Sequence, residues 1–198
     1  MIVTENPIVF TLDADLAYPS YAWALVEKLL AHPKLLAHFY ELNLHVTEFL
    51  WEAIDRKVER HLSKLHRCTG TMIRKLYHAV CTNNIGYENP PGICVGHGIY
   101  PLLSRANHSC APNAGYASGN PDSKEVGLIA LQDIHPGEPV TWNYSATDDF
   151  LNADWETRVR TFVRHFWFVC RCDKCQTEVP ERFAKMSDRA LLSHFTFM

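Results

Sequence analysis

Asn107-His108-Ser109-Cys110-Ala111-Pro112-Asn113 takes its meaning from two later stretches of the chain. The first is Gly137-Glu138-Pro139-Val140-Thr141-Trp142-Asn143-Tyr144, and the second is Phe168-Val169-Cys170-Arg171-Cys172-Asp173-Lys174-Cys175. Each alone is weak evidence; their order and separation carry the argument. Cys170, Cys172 and Cys175 are crowded, whereas Cys68, Cys81 and Cys94 are scattered among the chain's 7 cysteines. The N-terminus lacks the basic-then-apolar pattern of a secretory signal, so the trio reads as metal-binding or redox before it reads as disulfides. Zinc takes four ligands in a tetrahedron, with Zn–S at about 2.3 Å. Three local thiolates leave one place open, for which His165 is one candidate. The plain alternative is a set of free cysteines in a reducing compartment.

Around these stretches the chain is ordinary in bulk. Its 198 residues suffice for one well-buried domain, and 47% hydrophobic with 21% charged content fits a globular protein. A net charge of -3 gives no basic footprint for nucleic acid. No apolar run approaches the ~20 residues of a membrane span. The cytosol or nucleus is the expected compartment.

Upstream, Ile2 to Leu12 is rich in β-branched residues and reads as a strand pair, or one strand broken at Pro7. Ser20 reads as an N-cap before Ala22, Leu25, Val26, Leu29 and Leu30, a stripe that His32-Pro33 interrupts. Val46, Leu50, Ile54, Val58, Leu62 and Leu65 predict a long amphipathic helix, and Met72, Ile73, Leu76, Tyr77 and Val80 another. From Thr82 the periodicity shortens. Asn89-Pro90-Pro91-Gly92 and Gly119-Asn120-Pro121-Asp122 signal turns, and His135-Pro136-Gly137-Glu138 a tight one. Short strands are expected over Ala114 to Ser118, Val126 to Leu131 and Pro139 to Tyr144. Asn152 or Asp154 then caps a helix striped by Trp155, Val159, Phe162, Val163 and Phe166.

Together the three stretches resemble the core of the SET-domain protein methyltransferases: N-H-S-C-x-P-N, then G-E-x-[VL]-T-x-x-Y, then F-x-C-x-C-x-x-C. The closing cysteine of N-H-S-C and the cysteine-rich tail are most similar to the SET-and-MYND (SMYD-like) branch. The resemblance runs from about Thr82 to Gln176. It implies an α+β fold: a mainly β SET core of short strands with a knot-like crossing, a helical insertion at about residues 20–80, and a zinc-bound C-terminal tail. The SET domain would cover residues 1–176, with a post-SET zinc segment at 166–176 and a tail at 177–198.

The resemblance also implies chemistry. S-adenosyl-L-methionine would give its methyl group to a lysine of a protein substrate, and the protein would act as a monomer without nucleic-acid or membrane partners. The lysine must first lose a proton, which near neutral pH costs about 4 kcal/mol. A neighbouring sulfonium and a desolvating channel lower that cost, and near-attack geometry lowers the barrier further. Tyr144 matches the catalytic tyrosine. Asn107 and His108 match the pair that holds the cofactor's amino-acid end and adenine, and Phe168 the aromatic stacked on adenine. Asn83 fits a further cofactor-contacting asparagine, or Asn84 if the alignment slips by one. Phe166 or Trp167 would wall the lysine channel, although Trp167 reads better as packing. Asn113 and Asn143 are less decisive, because asparagine is common in turns. Cys110 would join Cys170, Cys172 and Cys175 on one Zn2+.

Two family features are missing. The glycine-rich turn that normally opens a SET domain is absent, and Ile2 to Val9 matches the segment just after it. The chain is thus expected to start inside the domain and to be weak or inactive in this form. The MYND insertion is absent too. Two further readings compete: a catalytically inactive zinc-binding SET module that binds a partner protein, and a Cys-His-Asn hydrolase built on Cys110, His108 and an asparagine.

Overall fold

The β-branched run at the N-terminus becomes two strands, β1 (Val3–Glu5) and β2 (Val9–Leu12), separated around Pro7, which has no amide hydrogen for a ladder. A computed structural model describes residues 3–12, 20–32, 34, 36, 56–89, 93–120, 122–145 and 148–196. These residues form two compact units. One contains 3–105 and 118–127, and the other contains 106–117 and 128–196.

In the first unit, β2, β4 (Cys94–Ile99) and β3 (Asn84–Glu88) make an antiparallel sheet in that order. Gly96 permits it, because a Cβ there would stand 2.4 Å from the Phe10 ring and 2.5 Å from the Thr11 carbonyl. Helix α1 (Ser20–Ala31) stops just before His32-Pro33, as the sequence predicts. Its stripe of Ala22, Leu25, Val26, Leu29 and Leu30 is buried. Helix α2 (Arg56–His66) is the described part of the long amphipathic helix; Val46, Leu50 and Ile54 lie outside the described residues. Leu65, expected on its apolar stripe, is instead exposed, while Leu62 is buried. Helix α3 (Gly70–Asn83) is capped by Thr69, whose hydroxyl accepts the Met72 amide, and it buries Ile73, Leu76, Tyr77 and Val80. Trp23 stacks on Tyr77 with ring centroids 4.3 Å apart, joining α1 to α3. Burying a residue of this kind stabilises by roughly 1.5–3 kcal/mol.

In the second unit, β5 (Asn107–His108) pairs in parallel with β8 (Thr141–Trp142). The strand expected over Pro139 to Tyr144 is therefore only two residues long. Strands β6 (Ala114–Ser118) and β7 (Val126–Ala130) are hydrogen-bonded neighbours, close to their predicted bounds. A short helix α4 (Asp148–Asn152) precedes α5 (Trp155–Phe166). Asp154, one of the two predicted caps, accepts the Thr157 amide at 2.9 Å. Trp155, Val159, Phe162 and Val163 are buried as the stripe requires. Trp167 then adopts a left-handed conformation (φ 61, ψ 32), which ends the helix. The chain returns so that Phe168 stacks on Phe162 at 5.2 Å. Helix α6 (Asp173–Glu178) begins in the segment expected to hold zinc, and residues expected only as a tail form α7 (Glu181–Ala184) and α8 (Asp188–Thr196). Phe183, Leu191 and Phe195 complete the core around Trp155.

Candidate active site and metal centre

The second predicted stretch is a device for placing Tyr144. Gly137 has φ +89, a value that side-chain-bearing residues rarely adopt, so the turn from His135 needs glycine there. The Glu138 carboxylate accepts the His135 amide at 3.0 Å and the Asn113 Nδ2–H at 3.2 Å. The His135 amide, then Asn113, hold its carboxyl below the usual range. Asn113 is buried and does more than shape a turn. Its Oδ1 accepts the Thr141 amide at 2.8 Å, and its Nδ2 also donates to the Pro139 carbonyl at 3.0 Å. Asn113 therefore pins the segment that leads to Tyr144. Asn143 has a local role, accepting the Ser145 amide at 3.0 Å.

Tyr144 donates its hydroxyl to the Ala106 carbonyl at 2.9 Å, and the Trp142 indole N–H reaches the same oxygen at 3.1 Å. Burial pushes the Tyr144 phenol up to about 12, so it stays neutral at physiological pH. Around it stand His108 at 5.5 Å, Phe166 at 5.5 Å and Phe168 at 6.3 Å between ring centroids. Tyr144, His108 and Phe168 are thus neighbours despite their separation in sequence. Asn107 adjoins them on β5 with its side chain exposed. Trp167 is half-buried in the left-handed turn between Phe166 and Phe168. Asn83 belongs to the other unit, at the last position of α3. Its amide donates to Ala79 O at 2.8 Å, and its carbonyl accepts the Ser104 hydroxyl at 3.1 Å.

The Sγ atoms of Cys110, Cys170, Cys172 and Cys175 all lie within 4.8 Å of one another. Cys110 Sγ is 3.5 Å from Cys175 Sγ and 3.9 Å from Cys170 Sγ. A ZnS4 tetrahedron with bonds of about 2.3 Å has edges of about 3.8 Å, so the four sulfurs fit zinc with little rearrangement. His165 is exposed at the end of α5 and takes no part. Sulfur–sulfur hydrogen bonds, with Cys170 first, hold the Cys110 thiol above its ordinary value. The same kind of bond, with Cys110 first, holds Cys172 below it. Four thiolates at this spacing need a cation among them, which a divalent metal supplies.

Arg158 was not legible as part of this centre. It is 1% exposed, and its Nη2 lies 3.9 Å from Cys175 Sγ and 2.5 Å from Glu178 Oε2. Burial works against its charge, yet the Glu178 carboxylate and Cys175 sulfur hold its pKa above the ordinary value. A buried guanidinium offsets part of the negative charge that four thiolates bring. The available signal was its place on the buried face of α5, one turn beyond Trp155.

His108 settles the hydrolase reading. His108 Nε2 lies 3.3 Å from Cys110 Sγ. Its Nδ1, however, accepts the Tyr144 amide at 3.3 Å. Burial pushes the imidazole down to about 4, so the ring is neutral and its single hydrogen sits on Nε2. It donates to sulfur and has no lone pair to deprotonate a thiol. Cys110 is itself buried within the sulfur cluster.

Comparison with known proteins agrees with this geometry. The family model described as SET domain matches residues 5–145. Human histone-lysine N-methyltransferase SMYD1 is 30% identical over 120 residues, covering 55% of this chain and 24% of that protein. Bovine N-lysine methyltransferase SMYD2 is 28% identical over 167 residues, covering 83% and 36%. Histone-lysine N-methyltransferase set5 of Schizosaccharomyces pombe is 33% identical over 91 residues, covering 46% and 27%. The chain thus spans between 24% and 36% of the length of these curated relatives. Among the described residues, no helix is long and apolar enough to cross a membrane.

Proposed function

The chain belongs to the SET-domain family, and from that premise we propose that it is an S-adenosyl-L-methionine-dependent protein-lysine N-methyltransferase with a structural zinc. The observation that carries the reading is the Tyr144 hydroxyl. Its hydrogen is committed to the Ala106 carbonyl, which leaves the oxygen lone pairs free to accept. When bound, S-adenosyl-L-methionine supplies a methyl group on a sulfonium. Tyr144 would orient the incoming amine and methyl through its oxygen, staying neutral because its pKa is high. Phe168 offers a half-buried aromatic face for adenine, and Phe166 a wall for the lysine chain. Asn107 and His108 would hold the cofactor from β5. The chemistry fits: aromatic rings desolvate an amine and favour its neutral form.

Cys110, Cys170, Cys172 and Cys175 would hold Zn2+, which ties the segment after α5 to the strand that carries His108. The substrate class is a protein presenting a lysine, as the names of the relatives suggest. Calorimetric titration with S-adenosyl-L-methionine, followed by transfer of a labelled methyl group to lysine-containing proteins, tests the reading. Binding with transfer supports it. Absence of binding by the folded, zinc-loaded chain supports a non-catalytic SET module.

A further inference from the structure

Strands β3 and β4 carry a second constellation, in the unit that does not contain Tyr144. Their register sets Gly86 opposite His97 and Glu88 opposite Cys94, with an irregularity between Tyr87 and Glu88. In an unbroken strand, positions 94 and 97 would point to opposite faces. Val95 is the extra residue of a bulge, which turns Cys94 to the face of His97. A Cβ on Gly86 would stand 3.1 Å from Cys94 Sγ and 3.9 Å from His97 Cε1, so both side chains occupy the space above that glycine. Cys94 Sγ lies 3.8 Å from His97 Nε2 and 3.4 Å from the Gly96 carbonyl, so the thiol hydrogen has two acceptors in reach.

The protonation pattern follows from the end of α3. Asn84 Nδ2 donates to the Val80 carbonyl at 2.9 Å and to the Cys81 carbonyl at 3.1 Å, beside the Asn84 backbone N–H, which also reaches the Val80 carbonyl. That fixes which end of the amide faces outward: Oδ1, at 2.9 Å from His97 Nδ1. An oxygen there requires the ring hydrogen on Nδ1, and in the neutral ring Nε2 then presents its lone pair to Cys94. This is the reverse of His108, whose hydrogen faces its cysteine.

We propose that Cys94 is a nucleophilic thiol, with His97 as its base and Asn84 as the group that positions that base, and that it is a covalent modification site for low-molecular-weight disulfides. The proposal is independent of the methyltransferase reading. In the step, His97 Nε2 takes the thiol proton and Cys94 Sγ attacks one sulfur of the disulfide. A new S–S bond forms, the old one breaks, and the departing sulfur leaves as a thiolate that recovers the proton from His97. Cys94 is oxidised and the reagent is reduced to one thiol. Cys94 is exposed, so a small reagent reaches it.

Cystamine is the probe, on the full zinc-loaded chain, with adduct formation followed by mass spectrometry on the fragment that carries Cys94. The reference is an unstructured peptide of residues 93–98, which keeps the cysteine and histidine without the sheet. The folded chain should react about tenfold faster than the peptide, and His97→Gln, with zinc content and circular dichroism unchanged, should return it to the peptide rate. Equal rates for folded chain and peptide overturn the proposal whether or not the variant folds. An unchanged rate in a folded His97→Gln variant overturns the role of the base.

Discussion

Replacing Cys110 by serine removes one of four sulfurs from a cluster whose members stand 3.5 to 3.9 Å from the Cys110 atom where bonded. Structural zinc sites bind with about 10–16 kcal/mol, so one of four equal ligands contributes about 3 kcal/mol. That corresponds to a weakening of about a hundredfold in Kd. A serine hydroxyl at neutral pH is a poor replacement for thiolate. The substitution also leaves the His108 Nε2–H facing oxygen rather than sulfur. Competition with a chromophoric chelator would measure Kd for the parent chain, Cys110→Ser, and Cys68→Ser as a control in the other unit. The expected order is a large loss for Cys110→Ser and none for Cys68→Ser. Unchanged affinity in Cys110→Ser, or a parent chain that binds no zinc, refutes the four-sulfur centre.

Two other outcomes follow from the site. Asn113→Ala leaves the half-buried Thr141 amide without its acceptor and releases the Glu138 turn, so chemical denaturation should show a loss of about 1–3 kcal/mol. Tyr144 favours its neutral form in the folded protein. Its contribution is therefore complete below pH 10, the ordinary tyrosine value, and is lost as pH rises through about 12. A tyrosinate absorbance titration should show no difference between the parent chain and Tyr144→Phe at pH 10, with one appearing only near 12.

Two of the three motifs and one helix cap were legible because each is a local device with a stereochemical reason. Gly137 supplies a positive φ, Asp154 caps α5, and the cysteine spacing fits a tetrahedral ion. What stayed hidden depends on contacts between distant residues. Asn113 resembled any turn asparagine until its pairing with Glu138, Pro139 and Thr141 was visible. Arg158 sits on an apolar stripe where charge is unexpected, and its contacts with the Ala153 carbonyl, Glu178 and the Cys175 sulfur explain its burial. The contact between His108 and Cys110 depends on how the chain runs beyond the end of β5, which no residue pattern in the stretch fixes. Leu65 was misplaced because apolar periodicity continues past the point where α2 leaves its core.

The most direct test of the account is methyl transfer by Tyr144→Phe. The lost hydrogen bond to Ala106 costs about 1 kcal/mol of stability, and the Trp142 indole still occupies that carbonyl, so fold and zinc content should persist. Transfer of labelled methyl from S-adenosyl-L-methionine to a lysine-containing protein should fall by about a hundredfold or more, while cofactor binding changes little. Transfer at the parent rate by a folded, zinc-loaded Tyr144→Phe chain would contradict the account.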